Sequence, residues 1–391
     1  MGKIGYIVRR ELDFIFRSRK VMAFYCIIFP LIIFGLLVAI FSAKVIVEVP
    51  IAVVDNSKSY ASRELIRTLD ASHTLNVKYH PLDHKEAEKL LERGQAYAVI
   101  NIEHNFERDL LNLKGANVGA FINNQYMLVS GNASKAILAA VDDFSAKYKT
   151  KLYLNYQVPQ YAMEAYMSPL SVSENTLFNP YMNYIYFLVL GAVPAILQMF
   201  VVLSIVYSLL SELKTGRAKE IRRIIAQNPL RIVNAKIFVY MLLYMCVLTV
   251  MLITLLLFFD LPLNGHILIV FAGGAAFLLM TATTGVLIAG CTNSLRMGLS
   301  SAAVYSAPAF AYYGVSFPVE AMPMFARVWA EILPGTHYNR ILVNEILRGA
   351  NTWGSVKEIL FMFAVSMLFL YLGSKLYSRW TADEKHWGPK I

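Results

Sequence analysis

Few side chains in this sequence stand where they could do covalent chemistry. His80 and His84 are four residues apart, a spacing that can set two imidazoles on one helix face for a metal. Pro81 falls between them and no H-E-x-x-H pattern occurs, so they read as a surface turn. No G-x-x-x-x-G-K-[ST] run offers backbone N–H groups and a lysine to phosphates, so any ATP has to be bound by another polypeptide. G-x-S-x-G is absent, and Cys26, Cys246 and Cys291 all lie in apolar runs where a thiol packs as a small hydrophobe. His337 has Tyr338 and Arg340 near it but no Ser or Cys tied to it by spacing. The chain therefore reads as having no catalytic residue, no metal site and no cofactor of its own. Polar residues inside apolar runs remain, and Gln198, Thr249 and Thr281 are candidates for lining a translocation path, as are Thr254, Thr283 and Thr284. Against that role, a threonine in a span usually bonds back to its own helix or bridges two helices. No run holds the acidic or basic relay of a proton-coupled pump, which argues against secondary transport.

These residues sit in a chain whose composition dictates its solvent. Of 391 residues, 57% are hydrophobic and 16% charged, where globular proteins run at about 45–50% and 25%. A hydrocarbon core about 30 Å thick needs roughly 20 mostly apolar residues as helix. Six stretches meet or approach that: 21–41, 181–210, 237–259, 267–289, 297–315 and 359–374, the last lengthened by its flanks. Pro194, three residues after Gly191, predicts a kink in the second or its extension beyond the bilayer. The first is too long for a signal-peptide core and Phe41 spoils its cleavage site, so it reads as a retained span.

Six spans put both termini on one side. The flanks there, 1–20, 211–236, 291–298 and 373–391, carry 18 Lys/Arg and 6 Asp/Glu, whereas 44–180 carries 14 and 15. The positive-inside rule makes the termini and the 211–236 loop cytoplasmic and puts 44–180 outside. The net charge of +10 is then a topology signal, and nucleic acid is excluded as a partner. Residues 3–20 place Ile4, Ile7, Val8, Leu12 and Ile15 on one helical stripe, an amphipathic helix for the headgroup plane. In the exterior segment, strands are expected at 45–54, 76–79, 97–102 and 118–122 and helices at 59–69 and 83–93, an alternation that implies partly parallel pairing. A helical pattern from Val129 to about Met167 returns the chain to the membrane. In 211–236, Ile221, Ile224 and Ile225 among basic residues fit a short amphipathic helix, with Asn228-Pro229 as its stop, or equally a solvated loop. The 316–349 segment, broken by Pro318, Pro323 and Pro334, fits two short helices dipping into the outer leaflet. Its Glu320, Glu331, Arg340, Glu345 and Arg348 must be paired or face water.

The layout and several local runs resemble the permease subunits of ABC exporters of the second type, in the branch with a large domain between the first two spans. The run from Val49 to Ser57, Ser62-Arg-Glu-Leu-Ile66, Leu90-Leu-Glu-Arg-Gly94 and the run from Asn105 to Leu111 are similar to that family's exterior domain. Gly314-Val-Ser-Phe-Pro-Val-Glu-Ala-Met-Pro323, Pro334-Gly-Thr-His-Tyr338 and Leu347-Arg-Gly349 look like its paired outer helices. The resemblance implies a polytopic α-helical membrane protein. It would have six transmembrane helices, an N-terminal amphipathic interfacial helix within 1–43, a small α/β extracytoplasmic domain over 44–180, and a five-span domain over 181–391 with outer re-entrant helices at 316–349. It implies two ABC ATPase subunits that hold ATP and magnesium, a second permease, identical or related, and a bacterial cell membrane with cytoplasmic termini. Where the envelope has two membranes, a periplasmic adaptor would dock on 44–180. Glu212, Gly216, Arg217, Lys219, Glu220, Arg222 and Arg223 would couple to the ATPase, although Glu212-Leu-Lys-Thr-Gly216 is only a loose version of the family's Glu-x-Glu-x-Gly-Thr. Phe317, Pro318, Met322, Pro323, Pro334, Thr336, Tyr338, Arg348 and Gly349 would form the exit motif. The function implied is ATP-driven export of an apolar or amphipathic, drug- or lipid-like substrate. A membrane-anchored scaffold whose exterior domain holds partners is the alternative.

Overall fold

A computed structural model describes residues 3–18, 20–42, 47–112, 116–123, 127–155, 179, 183–215 and 229–382. It divides into two compact units, Met1–Lys44 with Thr176–Ile391, and Val45–Asn175. The first unit opens with α1 (Lys3–Asp13), which runs into a π-helical turn at Phe14–Ser18. Helix resumes at Lys20–Ala23, widens into a second π turn at Phe24–Ile28 and continues as α2 (Phe29–Ile40). Ile7, Glu11 and Ile15, four apart, form the buried stripe of this entry helix.

The Val45–Asn175 unit carries a four-stranded sheet in the order β2-β1-β3-β4. In chain order its elements are β1 (Val49–Asp55), α3 (Tyr60–Asp70), β2 (Leu75–Tyr79), α4 (His84–Glu92), β3 (Ala98–Ile102), α5 (Phe106–Leu111), β4 (Val118–Ile122) and α6 (Met127–Asn155). β1 lies parallel to β2 and β3, as crossover helices require, and β4 is antiparallel to β3. Alternation along β1 divides the core. Val49, Ile51 and Val53 pack with Leu65, Leu69, Ile137 and Phe144, while Ala52 and Val54 pack with Ala87 and Val99. The run Asp55-Asn-Ser-Lys-Ser59 is the joint: Asp55 accepts the Ser57 and Lys58 N–H groups and the Ser62 hydroxyl, and Ser59 and Ser62 form a reciprocal cap on α3. The strands and helices read from the sequence fall within a few residues of these. The α6 pattern, expected to run to about Met167, is described only as far as Asn155.

In the first unit, a π turn at Ile185–Val189 leads into α7 (Leu190–Lys214), and α8 (Pro229–Phe258), α9 (Ile267–Cys291), α10 (Leu295–Ser306), α11 (Ala309–Tyr312), α12 (Met324–Ile332), α13 (Pro334–Leu342) and α14 (Trp353–Ala382) follow. Among the described residues four helices are long and apolar enough to cross a membrane, Ile185–Lys214, Leu230–Phe258, Ile267–Cys291 and Trp353–Ala382, and Phe24–Ile40 is a shorter apolar helix. The stretch 297–315, read as a span, is helical but broken. α10 ends at Ala307-Pro308, where proline supplies no N–H to the ladder, and α11 is four residues long. Pro194, expected to kink its helix, lies inside α7 just after the π turn. α7 is central, with 83% of its apolar window buried against 22% for α14. α9 and α14 approach closely at Gly290 and Gly373, where a Cβ on Gly373 would lie 2.8 Å from the Leu287 backbone nitrogen.

Candidate functional site

A concentration of buried charge lies where α7 ends and α8 begins, on either side of residues 216–228, which lie outside the described residues. The sequence places Glu212 and Lys236 in a 211–236 loop, yet both are on helices: α7 runs to Lys214, and Pro229, read as a stop, is the first residue of α8, a position that needs no N–H partner. Lys236, 1% exposed, donates to Glu11 Oε2 at 2.8 Å, to Ser208 Oγ at 2.7 Å and to the Ser208 carbonyl at 3.3 Å, with Glu212 Oε1 at 3.0 Å. Arg10 pairs with Glu212, the Ser208 hydroxyl donates to Glu11, and Tyr240 donates to Glu11 at 3.2 Å. Two cations and two carboxylates thus balance across α1, α7 and α8, which is what makes charge tolerable away from water. Burial alone would raise the Glu11 carboxyl, but Lys236, the Ser208 hydroxyl and Arg10 outweigh it and hold that group below the usual carboxylate value. A chain of smaller contacts continues along the bundle. Tyr244 donates to the Phe200 carbonyl at 3.1 Å and shares a 2.7 Å hydrogen bond with Ser204, which contacts Cys26 at 3.4 Å.

A second node is Gln198 on α7, fully buried. Its Oε1 accepts the Tyr313 hydroxyl at 2.8 Å and the Gly335 N–H at 3.2 Å, fastening α7 to the break after α11 and to the first turn of α13. The structure therefore joins Gln198 to the Pro334–Tyr338 run rather than to Thr249 and Thr281. Those two hydroxyls bond back to Met245 and Phe277 at 2.7 Å each, as Thr254, Thr283 and Thr284 do within their own helices.

The 316–349 segment forms two short helices, α12 and α13, and a π turn at Val343–Arg348 closed by Gly349 at φ +60°. Its charges are held as the sequence requires. Arg340 forks onto Glu331 at 2.5 and 3.2 Å and reaches Glu358 at 3.4 Å. His337 faces Glu358 at 2.5 Å through Nδ1 and the Glu331 carbonyl at 2.9 Å through Nε2. Glu345, fully buried, accepts from Ser355 at 2.6 Å and from the His266 N–H at 2.9 Å. Of the exit-motif residues, Met322, Pro334, Thr336 and Tyr338 are buried, with Tyr338 stacked on Phe277 at 5.0 Å, while Phe317, Pro318, Pro323, Arg348 and Gly349 are exposed. Of the coupling residues, only Glu212 belongs to this description. Gly216, Arg217, Lys219, Glu220, Arg222 and Arg223 lie outside the described residues. No group of three metal-ligating side chains occurs among the described residues.

Against known families, the model described as ABC-2 family transporter protein matches residues 20–375. The chain belongs to the ABC-2 transporter family. It is thus an ABC-2 permease, a non-catalytic, multi-pass transporter subunit of the kind that pairs with ABC ATPase subunits. Comparison with curated proteins gives no match. The match begins after α1, so Arg10 and Glu11 lie outside the permease's matched residues while their partners Ser208, Glu212 and Lys236 lie within. Sequence reasoning missed Arg10, Glu11 and Lys236 as a site. The signal was there: Glu11 interrupts the stripe Ile7–Ile15, and Lys236 stands four residues from both Ile232 and Tyr240.

Proposed function

We propose that this ABC-2 permease is the membrane half of an ATP-driven exporter in a bacterial cell membrane, moving an apolar or amphipathic, drug- or lipid-like substrate outward. In this reading the chain crosses the bilayer six times, with the Phe24–Ile40 helix and the broken α10–α11 segment completing the four long helices. The termini and the 211–236 loop face the cytoplasm, and 44–180 faces out, where a periplasmic adaptor docks if the envelope has two membranes. Two ATPase subunits carry ATP and magnesium, and a second permease completes the path. The loop residues Gly216 to Arg223 receive the ATPase stroke, and the 316–349 segment serves as exit collar.

The observation that carries this reading is the buried network of Arg10, Glu11, Glu212 and Lys236. A rigid-body shift can be transmitted only through elements that do not slip at the point of loading. Here both stems of the loop and the entry helix are bound by charged hydrogen bonds screened from water. The test is affinity capture from gently solubilised native membranes, with the tag at the C-terminus and mass spectrometry of what accompanies it. Recovery of an ABC ATPase near one per permease is expected. Repeated recovery of the permease without an ATPase, under conditions that preserve a known ABC complex, would overturn the proposal in favour of a scaffold.

A further inference from the structure

Residues from Tyr313 through the 316–349 segment and the start of α14 border an open cavity of about 460 Å³, within the range of about 300–1,000 Å³ typical of small-molecule sites. Its walls come from the Tyr313–Glu320 stretch, from α13 with the π turn after it, and from the first turns of α14. One wall is fixed in advance, because Arg340 is held by Glu331 and Glu358 while its guanidinium has donors beyond the three bonds it makes. Two other lining charges are unspent. Arg348 and Glu320 are exposed, and neither side chain has a partner among the described residues. A purely anionic ligand would leave Glu320 unanswered, and a cationic one would leave Arg348 so. Beside the polar lining the surface turns apolar: Phe317, next to lining Pro318, is 51% exposed, and Trp353, next to lining Gly354, is 58% exposed.

We propose that this cavity binds a zwitterionic headgroup, a phosphate with a neighbouring amine, whose acyl chains lie against Phe317 and Trp353. The phosphate takes the arginine side, where bidentate guanidinium geometry suits it, and the amine takes the Glu320 side. This rests on the reading of the chain as a permease for amphipathic molecules, and it narrows that class to zwitterionic phospholipid-like ones.

The test uses the full-length permease, delipidated in detergent and titrated with phosphatidylethanolamine or with phosphatidylglycerol of the same chains, retention being read by native mass spectrometry. Phosphatidylethanolamine should be held about tenfold more tightly, the worth of one charged hydrogen bond. Arg348→Ala should weaken both lipids, and Glu320→Gln should weaken phosphatidylethanolamine alone. Both positions are exposed, so folding is spared. Displacement by free O-phosphoethanolamine would show that the headgroup suffices, whereas retention of the lipid against it, still lost in the variants, would assign the site to the whole lipid. Equal retention of the two lipids, or retention indifferent to both substitutions, overturns the proposal. The readout needs no ATPase, so its failure is distinguishable from failure of the exporter reading.

Discussion

Lys236 is the residue on which most of the loop-end geometry turns, because three elements meet at its ammonium. Replacing it with Met leaves Glu11 and Glu212 facing each other out of water. Loss of one partner from a buried pair costs about 3–5 kcal/mol. Lys236→Met should therefore lower the thermal midpoint of the solubilised permease strongly, and pairing it with Glu11→Gln should restore part of the loss; a double mutant no better than the single would refute the charge argument. Glu11 gives the pH dependence. Its carboxyl is held below its ordinary 4.5, so the stability it supplies is present above that value and lost as pH falls through the lowered one. Amide protection over residues 3–18, taken relative to the intrinsic exchange rate at each pH, should fall selectively on acidification from pH 7 to below 4.5, and Glu11→Gln should lessen that dependence. Both residues were legible as breaks in apolar stripes. That they find each other across more than two hundred positions is a property of packing, which local spacing does not encode.

At the scale of elements, spacing served well where one principle decided the outcome. In the Val45–Asn175 unit, period-two and helical patterns bounded by turn residues gave the strands and helices within a few positions, because one face of each element is buried. Over 297–315 apolar content suffices for a span, but it does not show that Pro308 breaks the helix within it. Pro229 was read as a stop, yet it opens a helix, because a residue without an N–H is as fit for a first turn as for a boundary, and Pro334, read as a breaker, both divides two short helices and opens the second. The α9–α14 contact depends on what is missing from two side chains. Gly373→Val should force these helices apart, since its Cβ would press on the Leu287 backbone, and cost about 1–3 kcal/mol. The check is a lowered thermal midpoint, with Gly354→Val, which meets nothing within 4 Å, as the unaffected control.

For the whole molecule, the proposed function requires that a push on the 211–236 segment reach the 316–349 segment. The described contacts supply candidates for each stage: the charge network at the loop stems, α7 through the centre, and Gln198 holding Gly335 and Tyr313. Arg222→Glu with Arg223→Glu should uncouple ATP hydrolysis from export while leaving the permease inserted and its thermal midpoint unchanged. Full stimulation of the ATPase by this double mutant would assign the coupling elsewhere. The sequence made the membrane class and the family legible through composition and short runs, but a residue that fastens one helix to another, such as Gln198, shows only its polarity.

Four π turns, at Phe14–Ser18, Phe24–Ile28, Ile185–Val189 and Val343–Arg348, share a property with consequences for motion. Each amounts to a residue more than an α-helical turn holds, and a residue accounts for about 100° of azimuth and 1.5 Å of rise. Such a defect sets the phase between the faces on either side of it. Deleting one residue from Phe24–Ile28 should let the segment close as a regular α-helix while turning α1 away from Lys236. The permease would then keep its helix content and lose its ion pairs, a clockwork with every wheel present and one tooth out of step.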